Sequence, residues 1–172
     1  MKRPPFAAAM IASGFGTVFS PLGPGTVGSV AALFAYFGAY LGLQSLLGEL
    51  SDIAFIGFGI GLSLLSVWAG YWSTLAVIPF WGKDPKKVVI DEWAGMWIAL
   101  IFIPVEPVLM FLALFWFRFF DIWKPLGIRR LEKIPGAGGV MMDDIVAGIA
   151  ANAVLQVGIH SGMLDDLRLF FA

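Results

Sequence analysis

Long apolar stretches recur from one end of this chain to the other, at roughly 27–47, 53–80, 86–103, 107–125 and 140–160. Each lies near or above the ~18 residues that carry a helix across a bilayer. So many stretches exclude a removable signal peptide followed by a soluble domain. Backbone surrounded by hydrocarbon must also satisfy its own hydrogen bonds, which selects helices. The fold class expected is therefore all-α: a polytopic membrane bundle of about five hydrophobic helices, forming one membrane domain over residues 1–172. Composition agrees, with 59% hydrophobic residues, 13% charged and a mean hydropathy of +0.88.

Two shorter features refine the layout. Phe6 to Phe19 is apolar but short and broken by glycine, which suits an interfacial or re-entrant element rather than a span. The third and fourth stretches are separated only by Pro104-Val105-Glu106-Pro107, and proline at both ends of so short a link predicts a tight helical hairpin. With Lys2 and Arg3 in the cytoplasm and the stretches alternating, Lys83, Lys86, Lys87, Arg118, Lys124, Arg129, Arg130 and Lys133 share that face. Only Arg168 falls outside, where the connections carry Glu49, Asp52 and Glu106. A net charge of −1 gives no sign of nucleic acid, and with no cysteine there are no disulfides, thiolate metal sites or cysteine nucleophile.

Against this background five carboxylates stand out: Asp91 and Glu92 in VVIDEWAGMWIAL, Asp121 in FRFFDIWKP, and Asp143 and Asp144 in GGVMMDDIVAGIAA. Acids at the edge of hydrocarbon are costly and usually functional. The topology brings all of them to the cytoplasmic interface, early in the third and fifth stretches and late in the fourth. Oxygen ligands without histidine or cysteine select a hard cation, and magnesium is the expected one because it accepts one or two carboxylates with waters and phosphate oxygens. A blander reading pairs each acid locally. Arg118 and Lys124 each lie three residues from Asp121, and acids near a helix N-terminus are favoured by its dipole.

Two glycine-rich stretches are candidate phosphate cradles. One runs from Ser13 to Ser29, where Thr26 is placed to cap the first span with the Ser29 hydroxyl near its positive end. The other, Gly136-Ala137-Gly138-Gly139, opens onto the fifth span, where Gly138 and Gly139 leave the backbone free to approach an anion. Tight turns and close helix packing are the plain alternative for both. Lys124, between Asp121 and Pro125, is the basic residue best placed to hold phosphate, whereas Arg129, Arg130 and Lys133 read as lipid anchors. The only histidine, His160, falls at the opposite end of the fifth span, which disfavours a histidine nucleophile.

Taken in order, GFG, SPLGPGTVGS, VIDEWAGMWIAL, FRFFDIWKPLGIRRLE and GAGGVMMDDIVAGIAA resemble the signature blocks of the phosphatidylglycerophosphatase A family, over most of Gly14 to Ala151. The resemblance implies a magnesium-dependent lipid phosphatase of the bacterial inner membrane. It would remove the terminal phosphate of phosphatidylglycerophosphate, a phospholipid substrate, to give phosphatidylglycerol; protein partners stay open. One block departs from the pattern, reading Gly136-Ala137-Gly138-Gly139 where a His-Gly-Gly-type start is expected of many relatives. The magnesium ligands are expected among Asp91, Glu92, Asp121, Asp143 and Asp144, with Lys124 and the glycine-rich helix starts on the phosphate. Attack by activated water and a covalent aspartyl-phosphate both remain open. The alternatives are a phosphatidyltransferase, whose continuous aspartate motif is missing, and a cation-coupled transporter, for which no repeated half is evident. The tail Asp165 to Phe171 reads either as a short amphipathic surface helix or as disorder.

Overall fold

The computed structural model describes residues 3–21, 23–82 and 87–171; Lys2, Lys83 and Lys86 of the expected basic face lie outside these. The described residues form helices α1 (Phe6–Ala12), α2 (Pro24–Leu47), α3 (Asp52–Trp81), α4 (Ile90–Ala99), α5 (Pro107–Trp123), α6 (Ala137–His160) and α7 (Asp165–Phe171). Short 3-10 segments occupy Thr17–Phe19 and Pro125–Lys133, and no strand occurs among the described residues. The all-α class stands. Three helices, α2, α3 and α6, are long and apolar enough to cross a membrane.

The packing is that of helices in lipid, small residues inward and large ones outward. On α3 the buried face is Gly59, Ser63, Ser66, Gly70, Ser73, Thr74 and Val77, while Leu64, Trp68, Tyr71, Trp72 and Leu75 are exposed. The buried serines donate back to their own helix, Ser63 to Gly59 O at 2.9 Å, Ser66 to Ser63 O at 2.8 Å and Ser73 to Gly70 O at 3.2 Å, so none of the three needs a partner across the bundle. The α6 face follows the same spacing through Ala137, Met141, Asp144, Gly148, Ala151 and Leu155. At Gly70 an added Cβ would run into the end of Met141, which locks α3 against α6.

The third apolar stretch differs from the expected span. α4 has ten residues and is about 15 Å long, roughly half a hydrocarbon core. Pro104 explains where it stops, since its ring disfavours helix in the residue before it and clashes with the carbonyl four back. The backbone unwinds through Leu100 and Ile101 to Phe102, which adopts φ 60°. Carbonyls freed inside apolar surroundings need donors, and α6 supplies them. The Asn152 amide donates to Ala99 O at 3.1 Å and Ile101 O at 2.6 Å, and Gln156 donates to Ile101 O and Phe102 O, both at 3.4 Å. The hairpin expected at Pro104–Pro107 is therefore a half-helix turned into α5, whose 17 residues reach about 25 Å.

α4 is the centre of the bundle, with Ile90, Trp93, Ala94, Gly95, Met96 and Ala99 buried. The Trp97 indole donates to Ala32 O of α2 at 2.8 Å. Where α4 crosses α6 there is no room for side chains: a Cβ on Gly95 would stand 2.6 Å from the Asp144 carbonyl oxygen, and one on Gly148 would overlap that of Gly95. At the far end α7 is held by Arg168, which donates to both Glu106 carboxylate oxygens at 2.8 and 2.6 Å. The tail is thus a short docked helix, the first of its two expected readings.

Candidate active site

The Gly95–Gly148 crossing fixes the chemistry one turn away. Asp91 precedes Gly95 by four residues and Asp144 precedes Gly148 by four, so the two carboxylates stack on the same side of the contact. Glu92 joins them, and one oxygen from each of Asp91, Glu92 and Asp144 lies within 4.8 Å of the others. They open into a cavity of about 600 Å3 whose walls also carry Asp121, Asp143, Lys124, Glu132, Pro24, Gly25, Gly136 and Gly139. All five sequence-flagged acids and Lys124 therefore meet in one place. The starts of α2, α4 and α6 and the end of α5 face it.

The acids divide by what they touch. Asp143 accepts from Lys124 Nζ at 2.5 Å, and Lys124 also donates to Glu132 at 2.6 Å. Asp121 accepts from Arg118 at 2.5 Å, so the local pair weighed from spacing forms while Asp121 still lines the cavity. Asp91, Glu92 and Asp144 have no ion pair among the described residues, and Glu92 Oε2 is buried without any hydrogen-bond partner. Asp143 Oδ1 is likewise orphaned.

Lys124 ends α5 in the left-handed region at φ 46°, ψ 50°. A non-glycine residue there is strained, which points to a use for the side chain. Hydrogen bonds to Asp143 and Glu132 hold its ammonium in place. Glu132 reaches Lys124 because the preceding 3-10 segment folds back onto α6 at Gly139, where an added Cβ would overlap Ile134 O.

The remaining phosphate candidates are arranged differently from expectation. α2 begins at Pro24, not at a Thr26 cap: Gly23 is the N-cap at φ 85°, and Pro24 supplies the preset φ of a first helical residue. Thr26 is exposed, and neither Thr26, Ser29 nor Gly138 lines the cavity. Ser29 is fully buried, donating to Gly25 O at 2.8 Å and accepting from Arg118 at 3.4 Å. Gly139 does line it. Gly25, part of the Ser13 to Ser29 stretch though not singled out within it, does as well: a Cβ there would overlap Glu92 Oε1. Sequence reasoning missed Glu132, since nothing local marks it. The sequence marks Arg118 only as part of the basic face and as a partner of Asp121. Arg129, Arg130 and Lys133 are exposed, as lipid anchors require.

A helical membrane protein with a carboxylate-rich cavity at one end of its bundle is the class these features define. The profile of the family described as Phosphatidylglycerophosphatase A matches residues 10–159. The chain belongs to the phosphatidylglycerophosphatase A family, and with it to the phosphoric monoester hydrolases. It is 36% identical over 155 residues to phosphatidylglycerophosphatase A of Escherichia coli K12, covering 88% of this chain and 83% of the relative. It is 35% identical over 150 residues to the Haemophilus influenzae protein of the same name, covering 85% of each. A Bacteroides thetaiotaomicron protein named "Putative phosphatidylinositol-3-phosphatase" is 38% identical over 162 residues, covering 91% of this chain and 96% of the relative. No solved structure matches the chain.

Proposed function

We propose that the chain hydrolyses phosphatidylglycerophosphate to phosphatidylglycerol and inorganic phosphate at the cytoplasmic face of a bacterial inner membrane, with Mg2+ held by Asp91, Glu92 and Asp144. The observation that carries this is the convergence of five carboxylates and one half-buried lysine on a single cavity, in a chain of this family. The donor set fits the ion. Three carboxylates within 4.8 Å of one another, one with an orphaned oxygen, form a hard, all-oxygen site with no histidine or cysteine. An ion bound by these residues would supply positive charge against the phosphoryl oxygens and favour ionisation of a nearby water.

The chain's own residues do the rest. Lys124 spends two of its three N–H donors on Asp143 and Glu132, leaving the third for a phosphoryl oxygen. Gly25 and Gly139 put the starts of α2 and α6 on the cavity wall, Gly25 by leaving room for Glu92 and Arg118 and Gly139 by leaving room for the Ile134 carbonyl. In the reaction water oxygen bonds to phosphorus, the bond from phosphorus to the glycerol oxygen breaks, and that oxygen leaves with a proton. A carboxylate of the cavity takes the proton from water and returns it to the leaving glycerol oxygen.

The Bacteroides relative's name favours a second reading, hydrolysis of a phosphoinositide monoester, which the same groups would serve. Phosphate release by purified protein with Mg2+, measured on each lipid, separates the two. Release from phosphatidylglycerophosphate is expected; release from phosphatidylinositol 3-phosphate alone replaces the substrate, and release from neither sinks the phosphatase reading.

A further inference from the structure

Arg118 has more donors than partners. Its side chain is 17% exposed, its NH1 donates to Asp121 and Ser29, and its Nε is buried with no acceptor. Leaving such a donor unmet in a buried place is costly, and a guanidinium offers five N–H groups in a fixed fork suited to phosphate. Arg118 stands behind the cavity wall rather than on it, directly beside Gly25. A Cβ on Gly25, which lines the wall, would stand 3.2 and 3.3 Å from the two terminal guanidinium nitrogens and would overlap Glu92 Oε1. The glycine thus leaves open the spot where the guanidinium and the metal-site carboxylate approach each other. Ser29 gives its proton to Gly25 O, so toward Arg118 it can only accept, tying α5 to α2. Asp121 grips the same NH1 from one turn along α5 and also lies beside Asp144.

We propose that Arg118 binds the phosphoryl group of the substrate alongside Lys124, and that Asp121 and Ser29 are positioning residues that aim it. The proposal deepens the phosphatase reading and rests on it. Two cations, each steadied by an aspartate, Arg118 by Asp121 and Lys124 by Asp143, then flank the three metal-site carboxylates. Arginine suits this place because its planar fork can hold Asp121 with one edge while another faces the phosphate.

The test uses equilibrium binding of inorganic phosphate and of Mn2+ to the purified full chain, beside turnover of phosphatidylglycerophosphate. Arg118→Lys and Asp121→Asn should each weaken phosphate binding and lower kcat/KM by about 10- to 100-fold, with Mn2+ affinity within about twofold of wild type. Added guanidinium ion should restore part of the activity of Arg118→Ala. Unchanged phosphate binding in Arg118→Lys, or loss of phosphate and Mn2+ binding together in a variant that still folds, would overturn the proposal. Phosphate binding is read without turnover, so an inactive wild type contradicts the substrate and not the role of Arg118.

Discussion

Lys124 shows how much a single residue can reveal. It ends α5 at φ 46°, a conformation glycine adopts freely and lysine does not, while its ammonium joins Asp143 and Glu132. Lys124→Gly should therefore relieve about 1 kcal/mol of backbone strain and lose the cation. We expect it to unfold no more readily than Lys124→Ala while both lose at least about 100-fold in phosphate release, checked by denaturation in detergent and by assay. Retained activity in either variant contradicts the role. At this scale the acids and Lys124 were legible in the sequence because charges are rare in apolar stretches. Arg118 was not, since three-residue spacing to Asp121 looks the same whether a pair is decorative or working. Gly25 gains its role only through contacts with distant segments, and Glu132 only through the way Pro125–Lys133 folds back to Lys124. Thr26 misled because a capping residue type lay beside a proline that starts helices better.

At the scale of elements, α4 is the part of the fold that hydropathy hid. An apolar run of eighteen residues reads as a span whether or not its backbone stays helical. The telling residues lie fifty positions away, at Asn152 and Gln156, whose amides hold the carbonyls that α4 releases. Asn152→Leu leaves Ile101 O and Ala99 O short of a buried donor and should cost about 1–3 kcal/mol, read as a shifted midpoint in detergent unfolding. No change would mean that these carbonyls find other partners. The α7 tether has a pH signature. The hydrogen bond from Arg168 lowers the pKa of Glu106 below its usual 4.5, outweighing the opposing effect of burial. Ionised Glu106 thus binds better than it would unpaired, so the tether is fully present above about pH 4.5 and weakens as pH falls through the depressed value. Proteolysis near Leu169 should accelerate only in that acid range, and a pH-independent rate would contradict the tether.

For the whole molecule, the sequence conveyed fold class better than shape. Its apolar stretches located most of the helices and its acids share one cavity, but composition does not say which apolar face meets lipid. On α3 the answer is the reverse of a soluble helix, tryptophans out and serines in. Because the chain has no cysteine, single introduced cysteines report sidedness cleanly. Exposed Arg129→Cys and Ser161→Cys lie at opposite ends of the bundle. An impermeant thiol reagent added to whole cells should label the second and spare the first, and the opposite pattern would invert the proposed orientation.

The central claim is that Asp91, Glu92 and Asp144 hold the ion on which hydrolysis depends. Its most direct test is the Mg2+ dependence of phosphate release from phosphatidylglycerophosphate by wild type and Asp144→Asn side by side. Wild type should fall to background when Mg2+ is chelated and recover on its return, while Asp144→Asn should need far more Mg2+ or lose about 100-fold or more in rate. Wild-type release unaffected by chelation, or an Asp144→Asn variant with an unchanged Mg2+ requirement and rate, would contradict the account.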